Sequence, residues 1–308
     1  MRLNNRWKSM MYVLLGAASF GVLSTVVKLA YADGFSTGEV TGSQMLLGCV
    51  VLWLLSFRSW KLMRSMSAAT RWKLLGSGVF TGMTGVFYYL SLQRVEASFA
   101  ILLLFQFTWM GLVLDGVLHR RPPTRRKLLG AAVIAGGTLL ATGVLGHMQA
   151  TLAQASGIGI VLGLLAALCY TLFMHVSGRV ATEVPPVLRS AWMLTGAVAA
   201  VWLVFPPQFL WNGALAGGLW LWALILALFG TIIPPYLFAK GAPSLDTGLT
   251  AILGSVELPV VMICSTLLLG ERMSALQWLG VALIMCGVLL SEYTRRRADG
   301  SKSTAAAR

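Results

Sequence analysis

The sequence predicts an all-α polytopic membrane protein, with ten transmembrane helices in two inverted five-helix repeats. Three observations carry this. Hydrophobic residues make up 57% of the 308 residues and charged ones 11%, with mean hydropathy +0.78. A soluble domain has roughly 25% charged residues. Ten apolar runs each approach the ~20 residues that a helix needs to cross a hydrocarbon core. Finally, Lys and Arg fall almost wholly on one side of those runs.

The first run, 10–31, is too long for the apolar core of a signal peptide and lacks a clear small-residue cleavage site, so it counts as a span. Arg2, Arg6 and Lys8 precede it. The second run, 38–57, leads into Arg58, Lys61, Arg64, Arg71 and Lys73. Runs 73–92 and 97–118 follow, and then "HRRPPTRRK", which holds Arg120, Arg121, Arg125, Arg126 and Lys127. Run 127–146 closes the first half. Runs 155–177 and 187–206 flank Arg179, and Arg189 stands at the start of the second; runs 214–239 and 248–269 flank Lys240. Run 275–293 ends in a tail with Arg295, Arg296, Arg297, Lys302 and Arg308. The runs are long, unbroken and without alternation, which excludes strands.

With the N-terminus in the cytosol, 21 of the 24 Lys and Arg lie inside, Arg94 and Arg272 lie outside, and Lys28 lies within a helix. The expected topology therefore crosses the membrane many times, with both termini cytoplasmic. The net charge of +14 does not indicate nucleic acid, because the basic residues sit between apolar runs. Short loops leave no soluble domain for aqueous chemistry. Cys49, Cys169, Cys264 and Cys286 fall inside apolar runs without CxxC spacing, so buried thiols are expected, neither disulfides nor metal ligands.

The chain also repeats itself. Residues 100–140 align with 251–290 from a shared A-I-L, and Gly130 then meets Gly280 and Gly137 meets Gly287 once one residue is dropped. "MLLGCVV" at 45–51 matches "MLTGAVA" at 193–199. The expected units are residues 1–148, residues 149–294 and a basic cytoplasmic tail, 295–308. Five spans per repeat is odd, so the second copy enters from the opposite face. Such inverted repeats, with a site at midplane, characterise secondary transporters.

"LPVVMICSTLLLGERMSALQWLGVALIMCGVLL" resembles the closing segment of the EamA family of the drug/metabolite transporter superfamily: a Pro in the ninth helix, L-G-E, Gln277 and spaced glycines. "SFGVLSTVVKLAY" is similar to the family's first helix, where a lysine often stands near the outer end. "VELP" departs from the pattern, since the acid more often adjoins the proline. The resemblance implies ten helices, cytoplasmic termini and a central cavity lined by helices 1, 3, 4, 6, 8 and 9, with helices 5 and 10 as packing elements. It also implies export of amino acids, related metabolites or amphipathic compounds.

Glu257 stands at membrane depth, where a carboxylate costs about 2.5–3.5 kcal/mol on insertion scales, so it should face a wet cavity or the bundle. A carboxyl group there is a candidate for proton coupling; the alternative is a hydrogen-bonded contact between helices. Pro259 should leave the Ser255 carbonyl without its donor and serve as a hinge. Pro234 and Pro235 should break the eighth helix near its inner end, offering a hinge, with ordinary termination of the helix as the alternative. Gln106 is the repeat counterpart of Glu257 on the A-I-L anchors, and the glycine anchors shift it by one. It is a hydrogen-bonding wall or an interhelical amide. Lys28 either snorkels to the interface or contacts a substrate carboxylate. Tyr88, Trp109, Tyr170 and Tyr236 belong to helices that the resemblance puts around the cavity; as aromatic walls they suit amphipathic ligands, and packing is their alternative role. Asp115 should form an interface pair near the arginines.

The expectation is a secondary active transporter exporting small metabolites by alternating access; the alternative is a proton-coupled cationic-drug antiporter. No GxxxxGK[ST] motif occurs, which speaks against ATP drive within the chain. An enzyme would need a second deep acid, a nucleophile–base pair or a metal set, and Glu257 stands alone. No cofactor or metal is expected. The expected partners are a small solute and the lipid bilayer; a coupling proton and a homodimer are compatible with them, and nucleic acid is not among them.

Overall fold

The computed structural model describes residues 2–95, 97–148, 155–270 and 272–305, and among them the chain is helical without strands. The helices are α1 (Arg2–Ala32), α2 (Thr37–Ser56), α3 (Trp60–Ser65), α4 (Ala68–Leu92), α5 (Ala97–Leu104), α6 (Phe107–His119) and α7 (Arg125–Ala141). After them come α8 (Gly157–Arg179), α9 (Pro186–Val204), α10 (Trp220–Leu226), α11 (Ile233–Gly241), α12 (Thr247–Gly254), α13 (Glu257–Leu269) and α14 (Ala275–Ala305). The boundary expected at 148/149 adjoins residues 149–154, which lie outside the described residues, as do Glu271 of L-G-E and the last three residues of the tail.

Seven helical stretches among the described residues are long and apolar enough to cross a membrane, two of them joining α5 to α6 and α12 to α13. The three remaining expected spans are helices too. However, α4 carries Arg71 and Lys73, α7 has 17 residues opening on three basic ones, and the apolar part of α14 is Ala275–Ser291. The short α3 was not anticipated; the Arg71 guanidinium ties its end by donating to the Met63 carbonyl at 2.9 Å.

Side chains start the helices where the sequence changes character. Ser36 and Glu39 form a capping box on α2, and Ser67, Thr124 and Asp246 cap α4, α7 and α12. Left-handed residues end α6 and α13, at Arg120 (φ 49°) and Gly270 (φ 67°).

The eighth run does not stop at its prolines. Pro234 and Pro235 lie in the first turn of α11, and Ala227–Ile232 before them is wound as a π-helix. The wider turn accommodates two residues without N–H groups, so the span continues to Ser244. None of the four cysteines is fully buried, and Cys286 is exposed. They sit on helix flanks in apolar runs, where a thiol is as compatible with lipid as with a core.

Two segments share one pattern 150 residues apart. α5 and α12 each have 8 residues, α6 and α13 each have 13, and a two-residue turn joins each pair. The tightened bonds match: Gln106 N–H to Leu103 C=O at 3.1 Å and Val256 N–H to Leu253 C=O at 3.3 Å. α7 packs along α14, α4 along α9 and α8, α1 along α11 and α13, and α6 along α12.

The α7–α14 crossing depends on missing side chains. A Cβ on Gly137 would sit 2.8 Å from the Gly280 carbonyl oxygen, and one on Gly280 would sit 2.6 Å from that of Gly137. Small residues allow such backbone approach in lipid, where packing drives association. Gly280→Val should lower stability by about 1–3 kcal/mol, seen as a lower melting temperature in detergent. An unchanged melting temperature would mean the crossing relaxes without cost.

Candidate functional site

The juxtaposition of acid and proline in the ninth span has a local explanation. α12 ends at Gly254, and Ser255 and Val256 form a tight turn (φ/ψ −62°/−13° and −64°/−17°). Glu257 then opens α13, which places Pro259 in a first turn, where its missing N–H is tolerated. The Ser255 carbonyl, expected to lack a donor, accepts the Leu258 N–H at 3.4 Å. In one continuous helix acid and proline would conflict; the restarted helix removes the conflict.

Glu257 lies midway along the span Thr247–Leu269 and is half-buried. The Tyr170 hydroxyl donates to its Oε2 at 3.0 Å. Tyr170, on α8 and 5% exposed, stands among rings: Phe107 edge-on at 4.8 Å, Phe20 edge-on at 5.9 Å and Phe173 stacked at 6.0 Å. Phe238 adjoins Phe173 and Phe20, and Tyr88 packs against the same core. α1 passes so close that a Cβ on Gly21 would lie 2.7 Å from the Glu257 carbonyl oxygen. The acid thus meets an apolar wall through one hydroxyl. This arrangement suits a solute with one polar or cationic end and an apolar body.

A cleft of about 420 Å³ approaches this site from one end of the bundle. Its inner limit is Leu258, the residue after Glu257, and Val261, Met262 and Ser265 continue the same wall of α13 outward. Lys28, Arg272 and Gln277 also line it. Ala141, Thr142 and Gln277 come from the fifth and tenth runs, which the resemblance treats as packing elements.

The structure brings Tyr170 to Glu257 and sets Tyr88 in the adjoining core, while Lys28 lines the cleft. Gln106 is engaged by its own segment: its amide donates to the Leu102 carbonyl at 2.9 Å and accepts the Trp109 indole N–H at 2.8 Å. Trp109 itself is 46% exposed. Tyr236 stands with Tyr12 beside the Lys240 ammonium, which lies 5.6 Å and 4.5 Å from the two rings. Pro234, Pro235 and Pro259 are buried. Sequence reasoning missed Phe20 and Phe107. The glycine anchors held the signal: on their 150-residue offset Phe107 corresponds to Glu257 and Phe20 to Tyr170, whereas the A-I-L anchors select Gln106. Helix lengths and turns follow the glycine offset.

The model of the EamA-like transporter family matches residues 7–143 and again 157–293. The chain is 26% identical to the threonine/homoserine exporter RhtA of Escherichia coli K12 over 299 residues, covering 94% of this chain and 93% of the relative. It is 25% identical to the uncharacterized transporter YcbK of Bacillus subtilis over 303 residues, 94% of each. A solved crystal structure superposes with TM-score 0.71 over 92% of this chain and 98% of the other, at 16% identity, a likeness of fold.

Proposed function

Since the chain belongs to the EamA-like transporter family, we propose that it is a secondary active transporter that exports small metabolites, amino acids or related amphipathic solutes, by alternating access. In this reading ten helices form two inverted repeats, residues 1–148 and 149–294, with cytoplasmic termini in a bacterial inner or plasma membrane. The double family match and the 150-residue correspondence of helix lengths support the repeats. The positive-inside distribution supports the orientation, which makes the Lys28 end external.

The observation that carries the function is the half-buried Glu257, held by Tyr170 at midspan beside a cleft. An ionisable group at that depth marks a solute or proton path. The threonine/homoserine export of the Escherichia coli relative favours amino acids over cationic drugs.

The test is counterflow in proteoliposomes with labelled threonine, homoserine, aromatic amino acids and a lipophilic cation, with and without a pH gradient. Saturable counterflow of an amino acid is expected, increased by the gradient. Saturable flux of the cation alone would favour the drug antiporter, and flux that never saturates would end the transporter reading.

A further inference from the structure

We infer that the seam between α6 and α12 is the cytoplasmic gate of this transporter, shut in this structure, and that Lys127, bridging Asp246 and Asp115, is its latch. The inference rests on the alternating-access reading above and names the surfaces that would alternate.

The 150-residue correspondence makes the case. The external cleft is walled by Ser98 and Ile101 on α5 and by Leu258, Val261, Met262 and Ser265 on α13. Shifted by 150 residues, those positions become Gly248 and Ala251 on α12 and Thr108, Gly111, Leu112 and Asp115 on α6. The first set borders the cleft, through the half-buried Ser98, Ile101 and Val261, whereas the second set is in contact. A Cβ on Gly111 would lie 2.5 Å from that of Ala251, so the seam closes only because position 111 has no side chain. A Cβ on Gly248 would lie 2.7 Å from the Leu112 Cδ2. The Thr108 and Ser255 hydroxyls meet at 3.0 Å. α6 packs along α12, and among the described residues α5 has no comparable packing on α13.

The seam ends in a charged cluster. The Lys127 ammonium lies 2.7 Å from an Asp246 oxygen and 3.7 Å from one of Asp115, and each of the three side chains is about one-fifth exposed. His119 sits 3.1 Å from Asp115 and 3.1 Å from the Arg179 guanidinium, while His175 meets the Thr247 hydroxyl at 2.9 Å. The ends of α6 and α8 and the starts of α7 and α12 are thereby tied together by charge and hydrogen bonds. The counterpart of Lys127 in the open cleft is the neutral Gln277. A partly buried cation between two carboxylates favours the closed form, and its loss shifts the population towards the open one.

Thiol labelling in oriented vesicles tests this. Thr108→Cys reports the seam from the cytoplasmic face of inside-out vesicles. Val261→Cys, at a half-buried position lining the cleft, reports the cleft from the external face of right-side-out ones. In each case labelling is read as the excess over the chain without the added cysteine. Lys127→Gln, and separately Asp246→Asn, which keeps an oxygen to cap α12, should raise labelling at 108 roughly tenfold and lower it at 261. Lys127→Arg, which keeps the charge, should leave both sites near the parent level. Unchanged labelling at 108 in both neutral variants overturns the gate. Labelling with Lys127→Arg as high as with Lys127→Gln overturns the charged latch. A rise at 108 with no fall at 261 keeps the latch but refutes alternation, and with it the transport cycle proposed above.

Discussion

Replacing Glu257 by glutamine will lower solute flux in proteoliposomes about 100-fold, or ~2.7 kcal/mol, and will abolish the response to a pH gradient. The substitution is nearly isosteric, and the amide oxygen still accepts the Tyr170 hydroxyl, so the contact at 3.0 Å and the start of α13 survive. Only the ionisable group is lost. Melting temperature should move by no more than a few degrees, which separates loss of transport from loss of fold. Tyr170→Phe removes the donor and keeps the ring, with its edge-on neighbours Phe107 and Phe20 in place. It should cost about tenfold in flux, or ~1.4 kcal/mol, near the low end for a hydrogen bond to a charged group. If Glu257→Gln carries solute and responds to the gradient like wild type, the carboxyl group is a packing contact and the proposed path lies elsewhere.

Arg189→Met will be the most destabilising of the substitutions considered, by about 3–5 kcal/mol. Arg189, in the first turns of α9, is 1% exposed. Its guanidinium donates to the Ser177 carbonyl at 2.9 Å, to the Val180 carbonyl at 3.5 Å and to the Ala239 carbonyl. Those acceptors lie at the C-terminal ends of α8 and α11, where carbonyls lack intrahelical donors and the helix dipole favours a cation. One side chain therefore satisfies two helix ends from a third helix. Methionine fills much of the volume and donates nothing, leaving buried carbonyls unpaired. A melting temperature lower by roughly 10 °C is expected. Arg189→Lys should rescue little of it, because one ammonium cannot reach acceptors spread across a planar fork. A shift under a degree or two would mean that water replaces the guanidinium.

Arg189 also shows where sequence reading stops. Counted by position, it is one more basic residue on the cytosolic side, alike in kind to Arg179. Its burial is visible only once α8, α9 and α11 converge on it. Lys127 is similar: the sequence places it in a basic loop, and the fold brings it to Asp246, 119 residues away. Asp115 was expected to pair at the interface, and its partners here are His119 and Lys127.

By itself the sequence determined that the chain is a helical membrane protein, where most of its apolar runs lie, which side its charges favour and that Glu257 needs protection. Each of these follows from the cost of placing backbone or charge in hydrocarbon, which the order of residues records directly. Tertiary structure alone decided the rest: that α13 restarts at Glu257, that Tyr170 is the hydroxyl which reaches it, and that α6 packs along α12 while, among the described residues, α5 has no comparable packing on α13. Those are contacts between segments far apart in the chain. They depend on helix rotation and register to within one residue, about 100° on a helix, and hydropathy does not encode so fine an angle.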